Sequence, residues 1–227
     1  MVASPYAQID KRNFNPSLLE ELFAALTMGA HLLGSPLTRR WFTRWGATQK
    51  ELTRPLPGDD LVPTPTIRST RAITIQAPAE GIWPWLVQMG QGRGGLYSYQ
   101  RLENFARCQI ENADRIIPEM QVLNIGDQIR LGPQGYPYFT VREILPEWAL
   151  VLGADPQNPE PPVSWSFNLE ALEPGKTRLI VRSLNGYQPS FASHLMWRWI
   201  TDPIFFVMER RMLLGIKARA EAYARLA

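Results

Sequence analysis

Cysteine is nearly absent from this chain. Cys108 stands alone, which excludes a disulfide framework and a thiolate metal site and points to a reducing compartment, the cytoplasm by default. Histidine is as scarce: His31 and His194 are too few to build a zinc centre, and with no other metal or cofactor signature none is expected. Blocks of like charge are missing, and the net charge of +3 is mild, which speaks against a nucleic-acid partner. No stretch reaches the roughly 18 to 20 apolar residues of a membrane span. Glu20 and Glu21 break the run from Ser17 to Gly34, and Arg198 and Asp202 break the one from Leu195 to Met208. The first residues show no basic and then apolar leader. Lysine is the last scarcity, with 20 Arg against 4 Lys. Guanidinium forks onto carboxylates and stacks on rings, so some of these arginines are structural or face a ligand.

What is present suits a folded protein. At 227 residues, 45% hydrophobic and 20% charged, the chain can bury a real core. Ser17 and Glu20 form a capping-box pattern ahead of Leu18, Leu19, Leu22, Phe23, Leu26 and Leu33, and the spacing predicts a helix ended by Gly34-Ser35-Pro36. Leu37 to Trp45 reads as a second, short helix. It sets Trp41, Phe42 and Trp45 beside Arg39, Arg40 and Arg44. Either those rings pack on the domain while the arginines stay wet, or they anchor the protein peripherally on anionic lipid. Residues 1–46 thus form an N-terminal helical extension. Residues 47–69 are polar and proline-rich, an extended linker holding no core.

The main domain, 70–227, opens with a strand in which Ile73 and Ile75 alternate with Thr74 and Gln76. Pro78 suits the first turn of a helix carrying Ile82, Trp83, Leu86 and Val87, in which Pro84 implies a short or kinked rod. Ser98 to Phe105 reads as another short helix. After Pro118 the period becomes two. Strands are expected at 127–131, 138–145, 148–153, 163–172 and 177–184, joined by short turns into an antiparallel meander. In the clearest of them Val163, Trp165, Phe167 and Leu169 face one way, and Ser164, Ser166, Asn168 and Glu170 the other. The last element starts near Ser190, bends at Asp202-Pro203, and carries Phe205, Met208, Met212 and Ile216 as an apolar stripe beside Glu209, Arg210 and Lys217. Its twenty-odd residues span about 33 Å, the width of six or seven strands at roughly 4.8 Å each. The fold class is α+β: a curved antiparallel sheet wrapped around a long C-terminal helix, with a helical extension in front.

Thr70-Arg-Ala-Ile-Thr-Ile-Gln-Ala-Pro-Ala-Glu80, Ile82-Trp-Pro-Trp-Leu86 and the terminal Phe206-Val-Met-Glu-Arg-Arg-Met212 carry a resemblance to the START-like helix-grip superfamily, also called SRPBCC. It includes lipid-transfer domains, plant pathogenesis-related ligand binders and aromatic polyketide cyclases. The resemblance covers about residues 68–226. The string Gly90 to Tyr99 with Glu103-Asn104 and Asn112-Ala-Asp-Arg115 looks like an uncharacterised bacterial branch of it. A cavity between helix and sheet is what the resemblance implies, and a small hydrophobic or lipid-like molecule is the partner. Nothing fixes an oligomeric state.

The expected ligand-binding residues are Trp85, Gln88, Met89, Tyr97, Tyr99, Asn112, Trp165, Phe167, Leu179, Val181, Phe205, Met208 and Met212. The apolar ones among them form a filled core by default, although methionine repacks around varied shapes. Gln88, Arg178 and Arg182 are polar groups that would reach in. As catalysts, Asp114 or Glu103 would be a general base with Tyr97 polarising a carbonyl, the parts of a cyclase or isomerase. As structure, the same groups would bond loop backbone and pair with Arg93, Arg107 or Arg115. Gly90-Gln-Gly-Arg-Gly-Gly95 follows a helix, not a strand, so it reads as a turn at the cavity mouth and not a dinucleotide loop. Three functions follow: a non-catalytic binder of a hydrophobic ligand, an enzyme of cyclase or isomerase type, or an accessory protein docked on a membrane or complex.

Overall fold

Alternation of side chains builds the sheet. In the computed structural model, which describes residues 14–225, six strands form: β1 (Ile67–Ile75), β2 (Gln128–Arg130), β3 (Tyr138–Leu145), β4 (Ala149–Gly153), β5 (Val163–Glu173) and β6 (Lys176–Asn185). Their order is β1-β6-β5-β4-β3-β2, every pair antiparallel. Register shifts at Val141/Glu143 and Ala171/Glu173 are bulges, which bend and twist the strands that carry them. Arg71, Val181, Phe167 and Leu150 stand opposite one another on one face, and Thr70, Arg182, Ser166 and Val151 on the other.

The first face packs on α6 (Asp202–Ala224), reached through α5 (Phe191–Leu195) and a π-helical stretch, Met196–Thr201. Ser190 caps α5 with Ser193 answering. Pro203 in the first turn of α6 supplies no N–H to the turn before it, and the chain widens there into the π stretch. The expected bend is therefore a change of helix pitch. Sheet, α6 and α3 (Ala79–Val87) enclose one core of Ile82, Trp85, Leu86, Phe167, Leu213 and Ile216, with others. This is a helix grip.

Two sequence-based expectations fail in the N-terminal third. A single helix, α1 (Leu18–Phe42), runs on through Gly34-Ser35-Pro36. The loss of about 3 kcal/mol for an internal proline is outweighed by packing along α6, where Ala24 and Phe42 meet Phe206 and Val207. The stretch expected as a linker is instead a strap over the second face of the sheet. It holds α2 (Gln49–Thr53) and buries Leu56 against Ala72 and Ile180. Thr70 and Ala72 N–H donate to the carbonyls of Thr43 and Trp45 at 2.9 and 3.1 Å, so the free edge of β1 is covered.

Arginines, not apolar residues, fasten this strap. Arg182 is 1% exposed and donates to the carbonyls of Glu51 (2.6 Å) and Arg54 (2.9 Å) and to Asp59 Oδ2 (2.6 Å). Arg178 holds Glu51 through Nε at 2.7 Å. Gly58, at φ +87°, passes so close that a Cβ would sit 2.7 Å from Ser164 Oγ and Val151. Ser164, Ser166 and Asn168 are consequently buried, not on a wet face. Arg178 and Arg182 reach the strap and not the interior.

Candidate functional site

The N-terminal half of α6 does not close on the sheet. Between it, the π stretch, Trp165 of β5, Leu131 beyond β2 and the segment 96–108 lies a cavity of about 320 Å³. Leu96, Phe205, Met208 and Met212 supply apolar wall, and Ile200 and Ile204, both partly exposed, stand at the rim. Ser98, Thr201, Glu103 and Glu209 are the polar residues along it, with the Cys108 thiol.

Glu209 forms its floor. Its carboxylate accepts from Trp165 Nε1 at 2.7 Å and from Arg71, and both charged side chains are at most 1% exposed. Arg71 Nε donates to Phe42 O at 2.8 Å, and its guanidinium lies 5.2 Å from the Phe206 ring. Asp202, about two turns back along α6, pairs with Arg39 at 2.9 Å. Burial raises the Asp202 carboxyl above its ordinary value, while the Arg71 and Arg39 charges oppose that rise. An ion pair this deep is held by geometry: each charge is costly to bury and becomes more so if its partner is lost.

Glu103 sits across the cavity on α4 (Gln100–Phe105), pressed toward Glu21 of α1. It is 6% exposed, and among the described residues its Oε2 has no hydrogen-bond partner. Burial first, then the nearby Glu21 charge, push its pKa up to about 7. Burial and Glu103 together raise the Cys108 thiol. Near neutrality the Glu103 carboxyl is thus divided between a donor form and an acceptor form, the state that proton transfer or a hydrogen bond to a ligand calls for.

The other sequence-derived candidates divide cleanly. Trp165, Phe205, Met208 and Met212 line the cavity, as does Glu103. Phe167, Leu179, Val181, Trp85 and Met89 are in the solid core, because the sheet and α3 fill the space around them. Tyr97 has φ +57°, which turns it behind the wall that Leu96 and Ser98 form. Its hydroxyl donates to Trp85 O at 3.0 Å and its ring lies 4.9 Å from the Arg219 guanidinium. Burial raises its pKa, so it is a locked structural donor. Asn112 Oδ1 accepts from the N–H groups of Leu96 and Tyr97 at 3.0 and 2.6 Å, fixing that turn. Gln88 clamps the 115–121 loop through Arg115 O, the Ile117 N–H and Gln121. Tyr99 packs beside the α1–α6 cluster. Asp114 does not line the cavity, and its charge acts on Arg219. The glycine-rich stretch is a closed turn, Gly90 N–H to Gly95 O at 2.9 Å, held by Arg93 on the carbonyls of Val87, Met120 and Val122. It does not line the cavity either.

Arg71 and Glu209 carry the site's charge, and sequence reasoning passed over both. Their signal was phase. Glu209 is four residues from Phe205 and three from Met212, on the apolar stripe of α6. Arg71 alternates with Ile73 and Ile75 on the dry face of β1. Opposite charges, each in step with a buried face, mark a pair that meets inside.

No protein-family model matches the sequence, and no curated protein matches it either. Solved structures with a similar course of chain do exist. CalC of Micromonospora echinospora, a self-sacrificing resistance protein, is 14% identical with a TM-score of 0.39, over 69% of this chain and 94% of its own. The Zhui aromatase/cyclase of a Streptomyces species is 14% identical with a TM-score of 0.37, over 71% and 96%. The Aha1 dimer of Colwellia psychrerythraea is 16% identical with a TM-score of 0.31, over 60% and 90%. Overlaps this loose carry nothing over to the chemistry of the cavity. Among the described residues there is no cluster of three metal-ligating side chains, and no helix is long and apolar enough to cross a membrane.

Proposed function

We propose that this chain is a START-like binder of a small hydrophobic ligand, one that carries a single hydrogen-bonding group, and that it does not transform that ligand. The observation that carries the reading is the cavity itself. Its volume of about 320 Å³ sits at the low end of ligand sites, and an apolar wall with a few convergent polar groups is the usual make-up of such sites. Burying the ligand's apolar surface would supply affinity at about 25 cal/mol per Å². Glu103 Oε2 would supply orientation, because among the described residues it has no hydrogen-bond partner.

A cyclase or isomerase is the second reading, favoured by the same carboxyl with its pKa of about 7. Such chemistry also needs a donor for the developing oxyanion. Tyr97 is committed to Trp85 O, and Ser98 Oγ donates to Met208 O at 2.8 Å. Tyr97 and Ser98 are thus both spent, and binding is the preferred reading. The lone thiol fits a cytoplasmic setting.

Native mass spectrometry of protein purified from its own host tests the proposal. A co-purifying apolar molecule, released on denaturation, is the expected result. Its absence, together with turnover of a cyclisable or enolisable substrate that Glu103→Gln abolishes, would replace binding by catalysis.

A further inference from the structure

Helix α1 has two faces, and only one is used. Ala24, His31 and Phe42 turn inward onto α6. Opposite them Leu19, Phe23, Leu26 and Leu37 are open to solvent, with Phe23 72% and Leu37 91% exposed, and Trp41, half exposed, packs one side of its ring on His31 and Phe206. Leu19, Phe23 and Leu26 are spaced by four and three residues and Leu37 follows about three turns on along the same face, and with them stand the exposed Arg40 and Arg44. The π stretch, which packs beside α1, adds Met196, Trp199 and Ile200, and Phe191 of α5 is 86% exposed. Acid is confined to one end of this surface, where Glu20 is exposed and bonded in the capping box of α1. No Asp or Glu occurs between Leu22 and Lys50, or between Glu173 and Asp202.

We propose that this face docks on an anionic lipid bilayer. Large apolar side chains beside arginines, with a carboxylate only at the N-terminal end, make an interfacial helix that lies flat, its apolar side in the acyl boundary and its guanidiniums at the phosphates. At 25 residues α1 offers about 37 Å of such contact. An apolar area this large needs a partner. A second copy fits less well: two-fold pairing sets the patch against its own copy, and Glu20, the one exposed acid of α1 to answer Arg40 and Arg44, is bonded in its capping box. The Arg39–Asp202 pair and the Phe42–Phe206 stack, centroids 5.6 Å apart, hold α1 on the domain, so the face is pre-formed.

Docking would also turn the cavity toward the bilayer. Ile200 belongs both to the exposed face and to the cavity rim. That consequence rests on the ligand-binding reading, and the docking proposal does not. Joined to it, an apolar ligand would pass between bilayer and cavity without crossing water.

Vesicle sedimentation of the full chain tests docking. The probes are vesicles of phosphatidylcholine alone and of phosphatidylcholine mixed with phosphatidylglycerol, neither containing a ligand. Wild type is expected to pellet with the anionic vesicles and to be released as salt rises. Phe23→Glu and Trp199→Glu should each weaken pelleting at least about tenfold. Arg40→Glu with Arg44→Glu should remove the preference for anionic lipid. Leu131→Trp, which crowds the cavity wall, should pellet like wild type, so failure of the ligand reading leaves this result intact. Wild type that ignores both vesicles, or Phe23→Glu and Trp199→Glu variants that pellet unchanged, would overturn the proposal. So would a dimer that Phe23→Glu dissociates in protein that binds no vesicle, since the face would then belong to a second copy.

Discussion

The two halves of α6 lie on the same sheet and meet it differently. From Leu213 onward the helix packs solidly, with Leu213, Ile216 and Ala220 in the core beside Ile82, Trp85 and Leu86 of α3. Gly215 makes this possible: a Cβ there would stand 2.2 Å from the Tyr97 carbonyl oxygen. From Asp202 to Met212 long side chains replace small ones, and the facing wall is the loop 96–108 and not a helix. Phe205, Met208 and Glu209 border a space that they leave open. Close approach builds the fold in one half. In the other, bulk and a buried ion pair hold the walls apart, and the hollow is where recognition can occur.

Breaking the ion pair should have the largest effect. Glu209→Ala leaves Arg71 charged and buried without its ion-pair partner, and should cost about 3–5 kcal/mol in chemical denaturation. Replacing both partners, Arg71→Met with Glu209→Met, should recover most of it. If the single and double variants are equally unstable, the pair is not what holds this half.

Glu103 gives a pH signature that the packed half lacks. Its carboxyl rises from an ordinary 4.5 to about 7 in the fold, so between those values the native state binds more protons than the unfolded one. Stability should therefore fall as pH climbs from about 4.5 to about 7 and level off above. Glu103→Gln should flatten that fall and be the more stable protein at pH 8, by on the order of 3 kcal/mol. Parallel melting curves for both proteins across this range would show the slope to come from elsewhere.

On the closed half, Gly215→Ala should cost about 1–3 kcal/mol by overpacking against Tyr97. Thermal melting measures it, and an unchanged melting temperature would mean that α6 does not press on that turn. Leu131→Trp is expected to be the mildest in stability, because its added ring enters empty space. A melting loss as large as that of Gly215→Ala would show the space to be already filled.

Much of this architecture was legible. Period-two alternation marked β3, β4, β5 and β6 to within a residue or two, since each strand carries an apolar run on at least one face. The Ser17–Glu20 capping box placed the start of α1. What stayed hidden depends on what lies on top. Pro36 looked like a helix end because its local cost is visible and its packing is not. Ser164, Ser166 and Asn168 looked solvated because nothing local says that a strap fastened by Arg182 covers them. Among the site candidates that line the cavity, Phe205, Met208 and Met212 were read from the stripe on α6 and Trp165 from the alternation of β5. Tyr97, Gln88 and Asn112 carry the right chemistry but are turned into the wall by one residue at positive φ and a web of backbone bonds, which spacing alone does not encode.

The claim beneath all of this is that the N-terminal half of α6 stands over an accessible apolar hollow. Fluorescence titration with N-phenyl-1-naphthylamine tests it most directly, on wild type, Leu131→Trp and Phe23→Glu. One saturable site in wild type and Phe23→Glu, lost in Leu131→Trp, is the expected result. Titration of Leu131→Trp indistinguishable from wild type would contradict it.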